Sequence, residues 1–520
     1  MQQLTMKHPV HIFYSTLAFF VLISVSSCGG GSSGGPDPLF GDQWHLKNTG
    51  QRGALIGEDL NVEPVWNSCA GGANCRGEEV NVVVVDDGIQ VSHPDLNSNI
   101  LPGQSYNYLT GSNNPTPLDL FNSSHGTSVA GIIAARDLNG IGVRGVAPRV
   151  NLLGYNLLEA GENDTNEADA MTRNRANIFV SNNSWGPPDG SGDIAPSTLL
   201  WKSAIDAGLS EGRNGLGTIY VWAGGNAGWV DNSNYDGMAN YRGVIAVAAV
   251  DHRGQQTSYS ESGANLLVSA PGGEFCEDGQ LAISTTDLIG SNGSNPSVGV
   301  PDYENRDYTK CMNGTSAATP MVSGVVALML QANPNLGWRD VREILAQTAR
   351  KNDPSDLDWV TNGAGFNINH KYGFGVADAE AAVTAARAWP VLSTSQLTHS
   401  SALSIPDNTS IPEGATGRTD TINVSGSGIS NIEYIEITLD TTHTYSGDLE
   451  IVLTNGTTIS VLAQTHACPG RCTYNYDNWV FGSMRHLGES ADGNWTLTVR
   501  DLAAEDIGTF NSWQLKFYGR

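Results

Sequence analysis

Ser316 stands in Gly314-Thr315-Ser316-Ala317-Ala318-Thr319-Pro320, directly before the apolar run at 321–330. The pattern predicts a strand handing over to a buried helix, with the serine at the helix N-terminus. Free N–H groups and the positive dipole end at that point can stabilise an oxyanion. Serine is also an ordinary N-cap residue, so Ser316 becomes a candidate nucleophile only in company. A nucleophilic hydroxyl needs a base, and the base needs a group to orient it. His125 opens a second small-residue helix, Ser124-His125-Gly126-Thr127-Ser128-Val129-Ala130-Gly131. Asp86 follows four consecutive valines, 82–85, which read as a fully buried parallel strand. The C-terminal edge of such strands is where α/β sheets build their sites. A fourth member is Asn226, reached through the strand-like run 217–223 and two glycines. Its amide can donate to an oxyanion beside the Ser316 N–H.

The chain order Asp86, His125, Ser316 is the subtilisin-like one, not that of chymotrypsin or the α/β-hydrolases. Residues 37–390 resemble a subtilase, and more narrowly the kexin/furin-like proprotein convertases. The narrower resemblance rests on Asp86-Asp87-Gly88-Ile89, Ser184-Trp185-Gly186-Pro187, Asn234-Tyr235-Asp236-Gly237 and Asn362-Gly363. It implies an α/β catalytic domain, a mainly parallel sheet with helices on both faces, and calcium-dependent serine endopeptidase activity. It places Asp189 and Asp236 at the base of the pocket for the substrate residue before the cut (P1). Paired carboxylates there suit an Arg guanidinium. Asp87 matches the acid that favours a basic P2 residue, and Asn122 stands where relatives often carry a second acid for that pocket. Asp169, with Asp193, matches acids selecting a basic residue two positions beyond P2. Cleavage after Arg or Lys-Arg-like pairs is expected.

Two Ca²⁺ sites follow from the same resemblance, since clustered carboxylates stay ionised beside a cation and oxygen-only ligands suit Ca²⁺. Asp189, Asp231 and Glu261 match a site bracing the P1 pocket. Asp37, Asp95 and Asn139, with the carbonyls of Arg136, Ile141 and Val143, match a site tying the N-terminal segment to the loop after the histidine helix. Asn107, Asn113 and Asn114 stand where a third, acidic site would be, and no third ion is expected.

The 520 residues carry 53 acidic and 27 basic side chains, a formal charge of −26. That sign disfavours nucleic-acid binding, and the length calls for two domains. Residues 1–27 read as a lipoprotein-type signal peptide. Cys28 would be the lipidated first mature residue and 28–36 a Gly/Ser tether, giving an exported protein of the bacterial cell envelope, held at the outer membrane or secreted. Between Cys28 and Asp37 there is no room for the folding prodomain such enzymes usually carry, so unaided folding or a separate chaperone is expected. Residues 391–402 read as a linker. Beyond it, at 403–520, short alternating runs predict a β-sandwich. His443-Thr444-Tyr445-Ser446-Gly447-Asp448-Leu449 and Gly493-Asn494-Trp495-Thr496-Leu497 resemble the jelly-roll-like P domain of convertases. Six further cysteines fall in local pairs, Cys69 with Cys75, Cys276 with Cys311 and Cys468 with Cys472, as suits an exported protein. The alternatives are a broad-specificity subtilisin-like protease whose acids serve calcium alone, and a non-catalytic surface adhesin.

Overall fold

The computed structural model describes residues 35–68, 75–161, 163–277, 279–295, 302–393, 395–407, 409–469, 472 and 474–520. The signal region, Cys28 and Cys69 lie outside them. Seven parallel strands form the central sheet: β1 (Asn81–Asp86), β2 (Tyr106–Asn107), β3 (Asn151–Asn156), β4 (Val180–Asn183), β5 (Ile219–Ala223), β6 (Val244–Val250) and β7 (Val268–Pro271). Their spatial order is β2-β3-β1-β4-β5-β6-β7. The valine run explains the layering. Side chains alternate along a strand, so Val82 and Val84 join one core while Val83 and Val85 join the core on the opposite face. The first core is closed by α1 (Glu63–Asn67), α2 (His125–Ala134), α5 (Thr315–Ala332), α6 (Trp338–Thr348) and α7 (Ala379–Arg387). The second is closed by α3 (Asp164–Thr172) and α4 (Leu199–Glu211). The chain runs from β1 out to β2 and β3 on one side, then crosses to β4 on the other. Asp86 therefore ends the strand at a topological switch point, where α/β sheets open a crevice.

Helix α5 is apolar enough to cross a bilayer, yet it is buried in the protein core. Pro320 lies inside it. Proline has no N–H to return to the carbonyl four residues back. That carbonyl, on Ser316, instead accepts the Ser184 hydroxyl at 3.0 Å. A short antiparallel pair, β8 (Ile283–Thr286) and β9 (Tyr308–Met312), leads into α5. The disulfide Cys276–Cys311 (2.03 Å) ties β9 to the loop before β8.

The C-terminal part is a β-sandwich. One sheet contains Leu397–Ser400, Ser410–Ile411, Gly508–Gly519, Ile432–His443 and Trp479–Ser483; the other contains Arg418–Val424, Gly493–Asp501, Leu449–Thr454 and Ile459–Ala463. Strict alternation along Leu449–Thr454 puts Leu449, Ile451 and Leu453 inside, where they meet Trp495, Trp513, Phe481 and Phe510. The linker reading of 391–402 gives way here. Leu397–Ser400 pairs with Gly519 to Lys516, and the Ser393 and Ser395 carbonyls accept from Arg339. An edge strand of four residues without a buried face carries no periodic signal.

The two parts share packed surface. Tyr235 and Ala264 of the α/β part belong to the sandwich's core. Asn234 receives the Gly482 N–H at 2.7 Å and donates to the Gly482 carbonyl at 3.0 Å. Asn362 donates to the carbonyls of Arg485 and Leu487, both at 3.0 Å. Cys468 and Cys472 are paired within the sandwich.

Candidate active site

His125 is the first residue of α2, and its Nδ1 lies 2.8 Å from Asp86 Oδ1. The pair is possible because α2 meets the end of β1 closely. A Cβ on Gly126 would fall 2.2 Å from the Gly88 carbonyl and 2.9 Å from Asp86 Cβ, so only glycine admits the contact. Asp87 fixes the same junction: its two carboxylate oxygens accept the N–H groups of His125 (3.0 Å) and Gly126 (2.7 Å). It thereby satisfies helix-end donors that the Ser124 side chain leaves unused. Burial, then the charge of Asp86, raises Asp87 to about 7. Burial also opposes a proton on His125, but Asp86 and Asp87 outweigh it and hold the imidazole up to about 9.

Ser316 is the second residue of α5, not its cap. Its Oγ–H is donated to the Ser184 carbonyl at 3.1 Å, the return half of the bond made by Ser184 to the Ser316 carbonyl. Behind this pair, Ser323 donates to Asn182 Oδ1 (2.8 Å) and Asn182 Nδ2 donates to Ser184 Oγ (3.0 Å). The buried Asn182 and Ser184 thus fasten β4 to the helix that carries Ser316. Asn226 Oδ1 accepts both the N–H (2.8 Å) and the hydroxyl (2.9 Å) of Thr315. That choice orients the amide, leaving Nδ2 as the donor end beside the first turn of α5. One Nδ2 contact runs to Asp189 Oδ2 at 3.3 Å, and the Asn226 backbone N–H reaches the same oxygen at 3.1 Å.

A cleft of about 490 Å³ runs along 185–188, lined by Trp185, Gly186 and Pro187, with Asp236 in its wall and Asp164 and Glu167 further out. Asp236 is raised to about 7 by burial, against the Met238 N–H bond (2.7 Å) and with a contribution from Asp189.

Residues 77–375 match the model of the subtilase family, and residues 432–517 match that of the proprotein convertase P-domain. The chain belongs to the subtilase family. This subtilase is 34% identical over 496 residues to human proprotein convertase subtilisin/kexin type 7, covering 93% of the chain and 60% of that relative. It is 33% identical over 499 residues to neuroendocrine convertase 2 of Drosophila melanogaster, covering 93% and 72%. The crystal structure of a serine protease of Aeromonas sobria is similar over 94% of this chain and 96% of its own, with a TM-score of 0.82 and 28% identity. A crystal structure of the A. sobria protease in complex with a chaperone gives 0.83 over 94% and 95%, also at 28% identity.

In this subtilase the acids read from sequence gather in two groups. Asp189, Asp231 and Glu261 adjoin one another, and burial raises all three. The charge of Asp231 adds to the rise of Asp189, that of Asp193 to the rise of Asp231, and those of Asp189 and Asp231 to that of Glu261, which stands well above the ordinary carboxylate range. Gly190 N–H occupies Asp231 Oδ2 (2.6 Å), and Ala227 N–H occupies Glu261 Oε1 (3.1 Å). Asp231 Oδ1 is buried without a partner, and among the described residues no Lys or Arg pairs with these acids. Such a donor set fits a hard cation. In the second group, Asp95 receives Asn139 Nδ2 (2.6 Å) and Val143 N–H (3.0 Å), while Asp37 pairs with Arg144 at 2.8 Å. Burial pushes Asp95 up to about 7, with Asp37 adding to the rise. The carbonyls of Arg136, Ile141 and Val143 accept no hydrogen bond among the described residues, so this set also fits an oxygen-bound cation.

Asp169 lies elsewhere. Its carboxylate accepts Tyr108 OH (2.7 Å) and pairs with Arg173 at 2.6 Å, one helical turn on. The cleft is lined instead by Asp164 and Glu167, which sequence reasoning passed over. Asn163 caps α3, and counting from that cap puts 164 and 167 on one face and 169 off it. Asp193 is half-buried and donates its N–H to Ser191 Oγ (3.1 Å).

Proposed function

We propose that this subtilase is a calcium-dependent serine endopeptidase cutting polypeptides after Arg or Lys-Arg-like pairs. The observation that carries the specificity is the acid-walled cleft that starts at Trp185, next to the Ser184 that holds Ser316. Asp236 stands in its wall with the charge of Asp189 acting on it, and Asp164 and Glu167 lie further out. Ser316 Oγ leaves the Ser184 carbonyl, gives its proton to His125 Nε2 and attacks the scissile carbonyl. Asp86 holds Nδ1–H and stabilises the imidazolium. Ser316 N–H and Asn226 Nδ2 receive the oxyanion. His125 then protonates the leaving amine, and a water repeats the sequence to release the acid. Bound Ca²⁺ would be held by Asp189, Asp231 and Glu261, and by Asp37, Asp95 and Asn139 with the carbonyls of Arg136, Ile141 and Val143. There it would neutralise and fix the loops that shape the cleft. The same reading keeps the chain in the cell envelope through lipid on Cys28, with a separate chaperone assisting folding, as the complex among its structural relatives suggests.

Peptides differing only at P1 test the specificity. kcat/KM for Arg should exceed that for Leu by about 10²-fold or more, and Asp236→Asn should cut the ratio at least about tenfold. Equal turnover of the two peptides would favour the broad-specificity alternative.

Calcium has its own signature. Carboxyls whose folded pKa is raised lower stability progressively as pH climbs from their unfolded to their folded value, and the loss levels off once they ionise in the folded state. With chelator, Tm should therefore fall as pH rises from about 5 towards 8. Added Ca²⁺ should reverse the fall, and Asp231→Asn should shift the Ca²⁺ midpoint upward. A Tm indifferent to chelator across that range would contradict the calcium reading.

His125 must be neutral to accept the Ser316 proton, so kcat/KM should rise with pH on an alkaline limb. Asp87→Asn removes a negative charge beside His125 and should move that limb to lower pH. A limb left in place would remove Asp87 from the account.

A further inference from the structure

The segment between Pro188 and Ile194 carries Asp189, and it has little to hold it. Gly190 and Gly192 both adopt positive φ (+88° and +70°), flanking a single serine. From the α/β part it is held by Asp231, which takes the Gly190 N–H at 2.6 Å and also bonds the Gly192 N–H, and by Asn226, which donates to Asp189. A further anchor comes from the sandwich. The Gly192 carbonyl accepts two hydrogen bonds there, from His466 Nε2 at 2.9 Å and from Tyr474 OH at 3.0 Å. The fit is close: a Cβ on Gly192 would fall 2.9 Å from both His466 Cδ2 and Cys468 Sγ. His466 is buried and positioned from its own domain by its backbone N–H on the Gly447 carbonyl (2.9 Å).

We propose that His466 and Tyr474 are positioning residues for peptide hydrolysis, acting from the sandwich on the P1 pocket and the oxyanion donor through Gly192. The path is short. The two donors fix the Gly192 carbonyl, three residues from Asp189; Asp189 holds both N–H groups of Asn226; Asn226 is in turn fastened to Thr315, next to Ser316. Losing both donors leaves a carbonyl unpaired at the interface, which favours another loop position. A misplaced reacting geometry is costly in rate even when the fold survives. The inference rests on the proposed endopeptidase reading and assigns to that site two residues outside the α/β part.

The test compares full-length protein with Tyr474→Phe, His466→Phe, His466→Gln and the Tyr474→Phe/His466→Phe double variant. Active sites are first counted with a serine-directed phosphonylating reagent, so that unfolded molecules are excluded. Per titrated site, the double variant should lose about tenfold or more in kcat on a P1-Arg peptide. Its Arg-over-Leu ratio should also fall, while His466→Gln, which keeps a donor, should recover most of the loss. A double variant with fewer titratable sites but unchanged kcat, KM and Arg-over-Leu ratio per site would overturn the proposal and reduce the contact to interface stability. Wild-type protein that titrates but shows no Arg preference would refute the basic-residue reading alone, because the kcat comparison would still stand.

Discussion

Ser316→Ala should lower kcat/KM for peptide hydrolysis by about 10⁶-fold, the scale on which members of a serine triad act. The fold should survive. Ser316 sits inside the first turn of α5, where alanine is at least as good a helix former. The loss is one hydrogen bond to the Ser184 carbonyl, worth about 1 kcal/mol. The reciprocal bond from Ser184 to the Ser316 backbone carbonyl is retained. A small Tm change with near-complete loss of turnover is therefore expected from calorimetry and peptide assays on the same preparation. His125→Ala should cost about as much, and the double variant hardly more than either, because base and nucleophile work on one proton. Full peptidase activity in purified Ser316→Ala protein would sink the nucleophile assignment, whereas wild-type protein without peptidase activity would favour the adhesin alternative.

Asn226→Ala should lower kcat by about 10²–10³-fold while moving KM little, since an oxyanion donor acts on charge that appears only in the transition state. Here the residue has a second task. Its Oδ1 accepts from the Thr315 N–H and hydroxyl, so alanine also strips the start of α5 of an acceptor. A stability loss of about 1 kcal/mol is expected, the usual size of a lost helix cap. Asn226→Asp separates the two tasks. A carboxylate still accepts from Thr315 but has no N–H for the oxyanion, and its charge opposes the one developing there. The aspartate variant should be at least as slow as alanine, and it should keep more of the wild-type Tm than alanine at low pH, where Asp189, 3.3 Å from the replaced Nδ2, does not repel it. A kcat within about threefold of wild type in both variants would refute the oxyanion role.

The candidate catalytic residues could be picked out because they sit where secondary structure changes type. The valine run ends at Asp86, a small-residue helix begins at His125, and a glycine-rich turn precedes Asn226. These junctions can be read locally. The same holds for the alternating strands of the sandwich, whose inward residues are the core. Asp189, Asp231, Asp236 and Glu261 could be assigned as a group only through motif resemblance, and the fold does bring them together. Asp169 shows where that stops. A loop of uncertain length precedes α3, so helical phase was undetermined, and an error of two positions turned the expected acid away from the cleft towards Arg173.

By itself the sequence determined the α/β class, the order of Asp86, His125 and Ser316, and a second domain built on alternation. All are set by covalent order and by the periods of helix and strand, which act over a few residues. Tertiary structure alone decided that Asp87 spends its carboxylate on the start of α2, that Pro320 hands the Ser316 carbonyl to Ser184, and that Gly192 is gripped by His466 and Tyr474. Those partners lie 39, 132, 274 and 282 residues apart. Buried hydrogen-bonding groups must be satisfied, but which groups satisfy them depends on where packing brings distant segments, and no local pattern records that.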